Sequence, residues 1–216
     1  MSQSTNISFN AVAADYTSEV GRIQFLIRSA LSGLRTAMPV KVLSVTNSGG
    51  VSPIGYVNVQ PMVNAIDGNN QPWVHGTIYN VPYMRIQGGS NAVILDPMVG
   101  DIGIATVCDR DISTVKNTQN ISSPGSNRKN DMSDMVYLMT IIGAAPTQYV
   151  QFSSSGINII SPNAVTIQAP EINSQGTWNH TGTIISSGDV TANGTSVHTH
   201  KHGGVTTGSG QTGIPV

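Results

Sequence analysis

The sequence predicts a mainly β protein: one helix near the N-terminus, a compact set of strands over residues 40–146, and a run of still shorter strands beyond. Three observations carry that prediction. From 40 to 143, short alternating runs of apolar and polar residues are closed by Gly, Pro or Asn, which is the period and punctuation of strands and turns. Charge is scarce: 10% of the 216 residues are Asp, Glu, Lys or Arg, against about 25% in ordinary soluble domains. Only one stretch, DYTSEVGRIQFLIRSALSGLRTAMP, has a helical period.

Composition also excludes several classes. Ten Lys and Arg against 11 Asp and Glu give a net charge of −1, so no basic face for nucleic acid is expected. The single cysteine, Cys108, cannot form an intrachain disulfide and reads as a small buried apolar side chain. The start MSQSTNISFN lacks the charged-then-apolar order of a secretory signal, so a chain made in a cytoplasm without its own export signal is expected.

Taken in order, residues 1–39 are an arm followed by the helix. Residues 1–14 read as flexible. Val20, Ile23, Leu26, Ile27, Ala30, Leu31 and Leu34 then recur at three- and four-residue steps, and Pro39 is expected to close the helix. That apolar stripe is expected to pack on a neighbouring sheet, with a helix–helix contact between subunits as the alternative. Strands follow at VKVLSV (40–45), YVNVQPMV (56–63), VHGTIYNVPYMRI (74–86), AVILDPM (92–98) and DIGIATVCDRDI (101–112). They suggest a small barrel or sandwich. The stretch 117–134, with Arg128, Lys129, Asp131 and Asp134, reads as an exposed polar loop. Asp109, Arg110 and Asp111 read as a local salt-bridge cluster. DMVYLMTIIG (134–143) is a last buried strand or short helix.

The character changes at Ala144–Pro146. From 147 to 216 the charged residues are Glu171, Asp189 and Lys201. Short pieces (INII, AVTIQA, EINSQG, TWNHTGTII, DVTANG) follow one another between Gly, Ser, Pro and Asn. Such strands bury too little to offset about 1–2 kcal/mol per residue of backbone ordering. Either a single-chain solenoid or three intertwined chains is expected, the second because no strict repeat length is present. Around a threefold axis, Ile157, Ile159, Val165, Ile167 and Ile172 would meet copies of themselves.

Three of the five histidines fall in HTHKH, residues 198–202. On a strand, alternate side chains share a face, so His200 and His202 would point together, and His198 could join them. The competing reading is a solvated His-rich tail. One pair from each of three chains makes six imidazole nitrogens. Six donors argue against the tetrahedral preference of structural zinc, which leaves Fe(II) ahead of Ni and Zn. His75 and His180 are isolated and read as surface or packing residues. No nucleophile elbow, HExxH, phosphate loop or CxxC pair is present, so no enzyme is expected.

The tail GDVTANGTSVHTHKHGGVTTGSGQTGIPV resembles the C-terminus of the central spike proteins of contractile-tailed phages, the baseplate assembly protein V type. The matching elements are Gly188–Val190, Gly194–Val197, His200 with His202, Gly203–Val205, Gly208–Gly210 and Thr212–Pro215. The stretch PYMRIQGGSNAVILDPMVGDIGIATVCDRDIS, with SNRKNDMSDMVYLMTII, resembles the N-terminal domain of the membrane-piercing members. The resemblance implies an OB-fold-like barrel over 40–146, an intertwined trimeric triple-stranded β-helix over 147–197, and a metal-binding apex over 198–216. It implies one iron ion per homotrimer on the threefold axis, held by His200 and His202. Three histidines in register leave His198 as the alternative partner. The implied role is structural: a spike at the baseplate tip of the virion tail, joined to hub and tube proteins, that punctures the host outer membrane. The alternative is a receptor- or glycan-binding tail fibre tip, which would draw on Trp73, Trp178 and a few tyrosines.

Overall fold

The structure, a computed structural model, describes residues 18–47, 49–66, 71–204 and 208. The expected arm at 1–14, residues 67–70 and most of the tail after Gly204 lie outside the described residues. The protein is mainly β. Helix α1 (Glu19–Ser32) leads, followed by β1 (Ala37–Val45), β2 (Tyr56–Pro61), β3 (Ala65–Ile66), β4 (Pro72–Trp73), β5 (Ile78–Pro82), β6 (Ile86–Gly88), β7 (Asn91–Val93) and β8 (Ile102–Val107). A short helix α2 (Ser113–Thr118) and a 3-10 turn at Met132–Asp134 precede β9 (Met135–Ile142). The hairpins β10 (Tyr149–Ser153) with β11 (Gly156–Ile160), and β12 (Thr191–Ala192) with β13 (Thr195–Ser196), complete the order. The chain divides into two compact units, Met1–Pro162 and Asn163–Val216. The compositional change at 144–146 falls one hairpin earlier.

Five strands make one antiparallel sheet in the order β5-β2-β1-β8-β9. The sheet curls until its two edges touch: Tyr83, just past β5, bridges Tyr137 of β9 in parallel, and the Met84 N–H donates to Tyr137 O at 2.8 Å. Alternation in the sequence becomes alternation in burial, strictly so along β2 and β8. Val40, Val42, Val57, Val59, Val81, Tyr83, Ala105, Val107, Met135 and Tyr137 form the core. Packing there is tight. A Cβ on Gly103 would lie 2.2 Å from Tyr137 Oη and 2.4 Å from Met139 O, so only glycine lets β8 pass that ring.

Several expectations are corrected. The helix ends at Ser32 with Gly33 as its cap, not at Pro39, which lies inside β1 opposite Ile104. The β1–β2 ladder begins one residue later, at Val40 with Pro61, so the missing proline N–H breaks no bond on that side. The apolar stripe of α1 does not pack on the sheet: Val20, Ile23, Leu26, Ile27, Leu31 and Leu34 are all exposed. DMVYLMTIIG is a strand, buried only in its first half.

The 117–134 loop is anchored rather than simply exposed. Asp134 and Asp111 are buried, and Arg128 bridges them, with Nη2 3.0 Å from Asp111 Oδ2 and 3.2 Å from Asp134 Oδ1. Asp111 therefore pairs across the loop, while Arg110 meets Asp109 at 3.8 Å on the surface. The Ser113 and Ser126 hydroxyls, the Ser113 N–H and the Arg128 guanidinium hold the Asp111 carboxyl down at about 2. An unfolded aspartate titrates near 3.9, so the folded group binds its proton later. Its contribution to stability is complete above about pH 4 and lost as pH falls through about 2. The melting temperature of the protein is expected to fall across that window, and Asp111→Asn is expected to flatten the fall in a calorimetric pH series.

In the second unit, the strands expected at 164–169, 171–176 and 177–185 are not formed. No described residue between 163 and 190 belongs to a strand, and every described residue from 163 to 195 is exposed. Short extended pieces need a neighbouring strand for their N–H and C=O groups, and no strand of the described residues pairs with 164–185.

Candidate metal centre at the C-terminal hairpin

The residues before the histidines fold as a tight hairpin. Asn193 (φ 49°) and Gly194 (φ 81°) both take positive φ, which is what a two-residue turn joining twisted strands requires, and Asn-Gly supplies it readily. The Val197 N–H donates to Val190 O at 2.8 Å, which extends the pairing one step beyond β13.

The chain then turns instead of continuing as the expected strand. Residues 197–199 form a turn, closed by the His200 N–H donating to Ser196 O at 3.2 Å. Ser196 Oγ accepts from the Thr199 N–H at 2.9 Å and from the Thr199 hydroxyl at 2.9 Å. Asp189 Oδ1 accepts the His198 N–H at 3.2 Å. The Ser196 hydroxyl, then the His198 N–H, hold the Asp189 carboxyl below the usual carboxylate range. Asp189 was visible in the sequence only as one of few charges in its half; its role as an anchor of the histidine turn was not.

The turn brings two imidazoles together. The rings of His200 and His202 lie with centroids 5.0 Å apart, edge to face at 76°. His200 Nδ1 sits 3.0 Å from Val197 O. A proton on Nδ1 donates to that carbonyl and leaves the Nε2 lone pair free for a ligand, the arrangement that orients metal-binding histidines. His198 is placed differently: it lines an open cleft with Ser186, Gly188, Asp189, Val190 and Val197. Among the described residues of the single chain, no group of three or more His, Cys, Asp or Glu could hold a metal ion. One chain thus presents an imidazole pair, and a metal ion held there would need further donors.

The remaining candidates do not join this centre. His75 is edge-on to Trp73 at 5.7 Å in the first unit, and burial, then the Arg35 charge, lower its pKa. Burial pushes the half-buried Cys108 thiol up, with Asp134 and Asp109 adding to it, as suits a packing residue. A second polar knot, unforeseen in the sequence, ties the first unit. Arg85 and Asp96 form a nearly buried ion pair, and Asp96 also accepts from the Tyr83 hydroxyl at 2.6 Å and the Gly49 N–H at 2.8 Å. The chain matches no protein-family model and no curated protein.

Proposed function

We propose that the chain is one of three in an envelope-piercing spike of the contractile-tail baseplate type, a structural protein without turnover. The observation that carries the reading is the uncovered apolar face of the β10–β11 hairpin. In a hairpin, paired residues share a face. Val150 pairs with Ile159 and Phe152 with Ile157, so all four project from the same side. They are 58%, 60%, 76% and 63% exposed, respectively. Val165, Ile167 and Ile172 are exposed as well. Soluble proteins rarely leave a contiguous apolar face like that of the hairpin uncovered, and copies of the same chain would cover it and supply strand partners. The strand order β5-β2-β1-β8-β9, with its edges meeting at Tyr83 and Tyr137, supports an OB-fold-like barrel ahead of that shaft.

On this reading His200 and His202 of each chain hold one iron ion per trimer, with His198 as the alternative partner. The donor chemistry fits: two adjacent exposed imidazoles, one with its Nδ1 engaged by a carbonyl, give six nitrogens from three chains. The ion would supply no reaction. It would lock three chain ends together and add its binding free energy to the folded state. The spike would sit at the virion's baseplate tip against hub and tube proteins and meet the host outer membrane. The fibre-tip alternative draws on exposed Trp73 and Trp178. Sedimentation velocity of the full chain tests the reading, which expects an elongated particle of three-chain mass; a single-chain mass would contradict it.

A further inference from the structure

We infer that α1 is a trimerisation helix whose apolar seam packs against the α1 helices of two further copies of this chain; this rests on the three-chain reading above. The spacing carries it. Within the helix, Val20, Ile23, Ile27 and Ala30 are separated by three, four and three residues, the alternation of heptad positions a, d, a, d. A helix seated on a sheet would bury that seam within the chain, yet Val20, Ile23 and Ile27 are 65%, 57% and 53% exposed.

The flanks agree. Leu26 and Leu31 occupy the adjoining g and e positions, and both are exposed. An apolar seam widened into its flanks suits bundles of more than two helices. Of the three charges on the helix, Arg22 and Arg28 fall at c and b, away from the seam, and Glu19 falls at the flanking g position in the first turn. β-branched residues at both a (Val20, Ile27) and d (Ile23) shift preference from two helices towards three or four. With 14 residues, α1 spans two heptads. That is short for a free-standing coiled coil and suited to helices already tethered together.

The test is disulfide cross-linking of the full chain in a Cys108→Ala background. Ile27→Cys places a thiol on the seam, and Arg28→Cys places one outside it. Under mild oxidation, rapid chain-to-chain cross-linking at Ile27→Cys is expected, at least tenfold faster than at Arg28→Cys, in a particle of three-chain mass. Equal rates at both positions, or no cross-link at Ile27→Cys in a three-chain particle, would overturn the helix proposal alone and point to a different protein covering the stripe. A single-chain mass would overturn both it and the reading it rests on.

Discussion

Replacing Ile157 and Ile159 with aspartate is expected to reduce the protein to single chains. Each fully buried isoleucine contributes about 1.5–3 kcal/mol. The double change removes six such side chains from a trimer, and since each is about 60% exposed in the single chain, roughly 5–11 kcal/mol of the apolar burial gained on association is lost. Six carboxylates forced into a dry interface would add their own desolvation cost. The five-stranded sheet should survive, because its core of valines, Tyr83, Met135 and Tyr137 is contained within one chain. Sedimentation should therefore show a fall from three-chain to single-chain mass, with the far-ultraviolet spectrum of the sheet largely retained. An unchanged three-chain mass would mean that this hairpin face is not the interface.

Removing both imidazoles, as His200→Ala with His202→Ala, is expected to abolish metal binding while leaving three chains together. The metal adds stability by mass action, about 4 kcal/mol when free metal stands a thousandfold above its dissociation constant. The variant should match the chelator-treated wild type in melting temperature and fall below the metal-loaded form. His198→Ala, which alters neither ring of the close pair, should retain the metal. Dissociation of the double variant into monomers would mean that the ion, not the shaft, holds the chains.

The sheet was largely legible because its strands alternate cleanly. Val40 and Val42, Val57 and Val59, and Ala105 and Val107 stand at every second position and are all buried. The end of the helix was misread because Pro39 looked like a stop signal, whereas it sits where a strand tolerates proline and Gly33 is the cap. The anchored loop was hidden for a different reason. Arg128 meets Asp111 across a long turn, and no local pattern announces a pairing between distant positions.

The histidine pair was legible, but its backbone was not. The period of HTHKH suggested a strand, yet Ser196 and Asp189 accept the N–H groups of Thr199 and His198. Side chains of this kind offer the backbone a local alternative to a ladder. The turn still sets His200 beside His202, because two residues of spacing can be bridged by a bend as well as by a pleat. Residues 163–190 carry strand-like composition, yet no described residue there belongs to a strand; on the proposed reading, further copies of the chain would supply the partners.

The central claim is a trimer whose chain ends share one metal ion. It is tested most directly by measuring absolute mass and transition-metal content on one sample of untagged protein. The account predicts the mass of three chains with one metal ion, iron, per particle. A single-chain mass with no bound transition metal would contradict it.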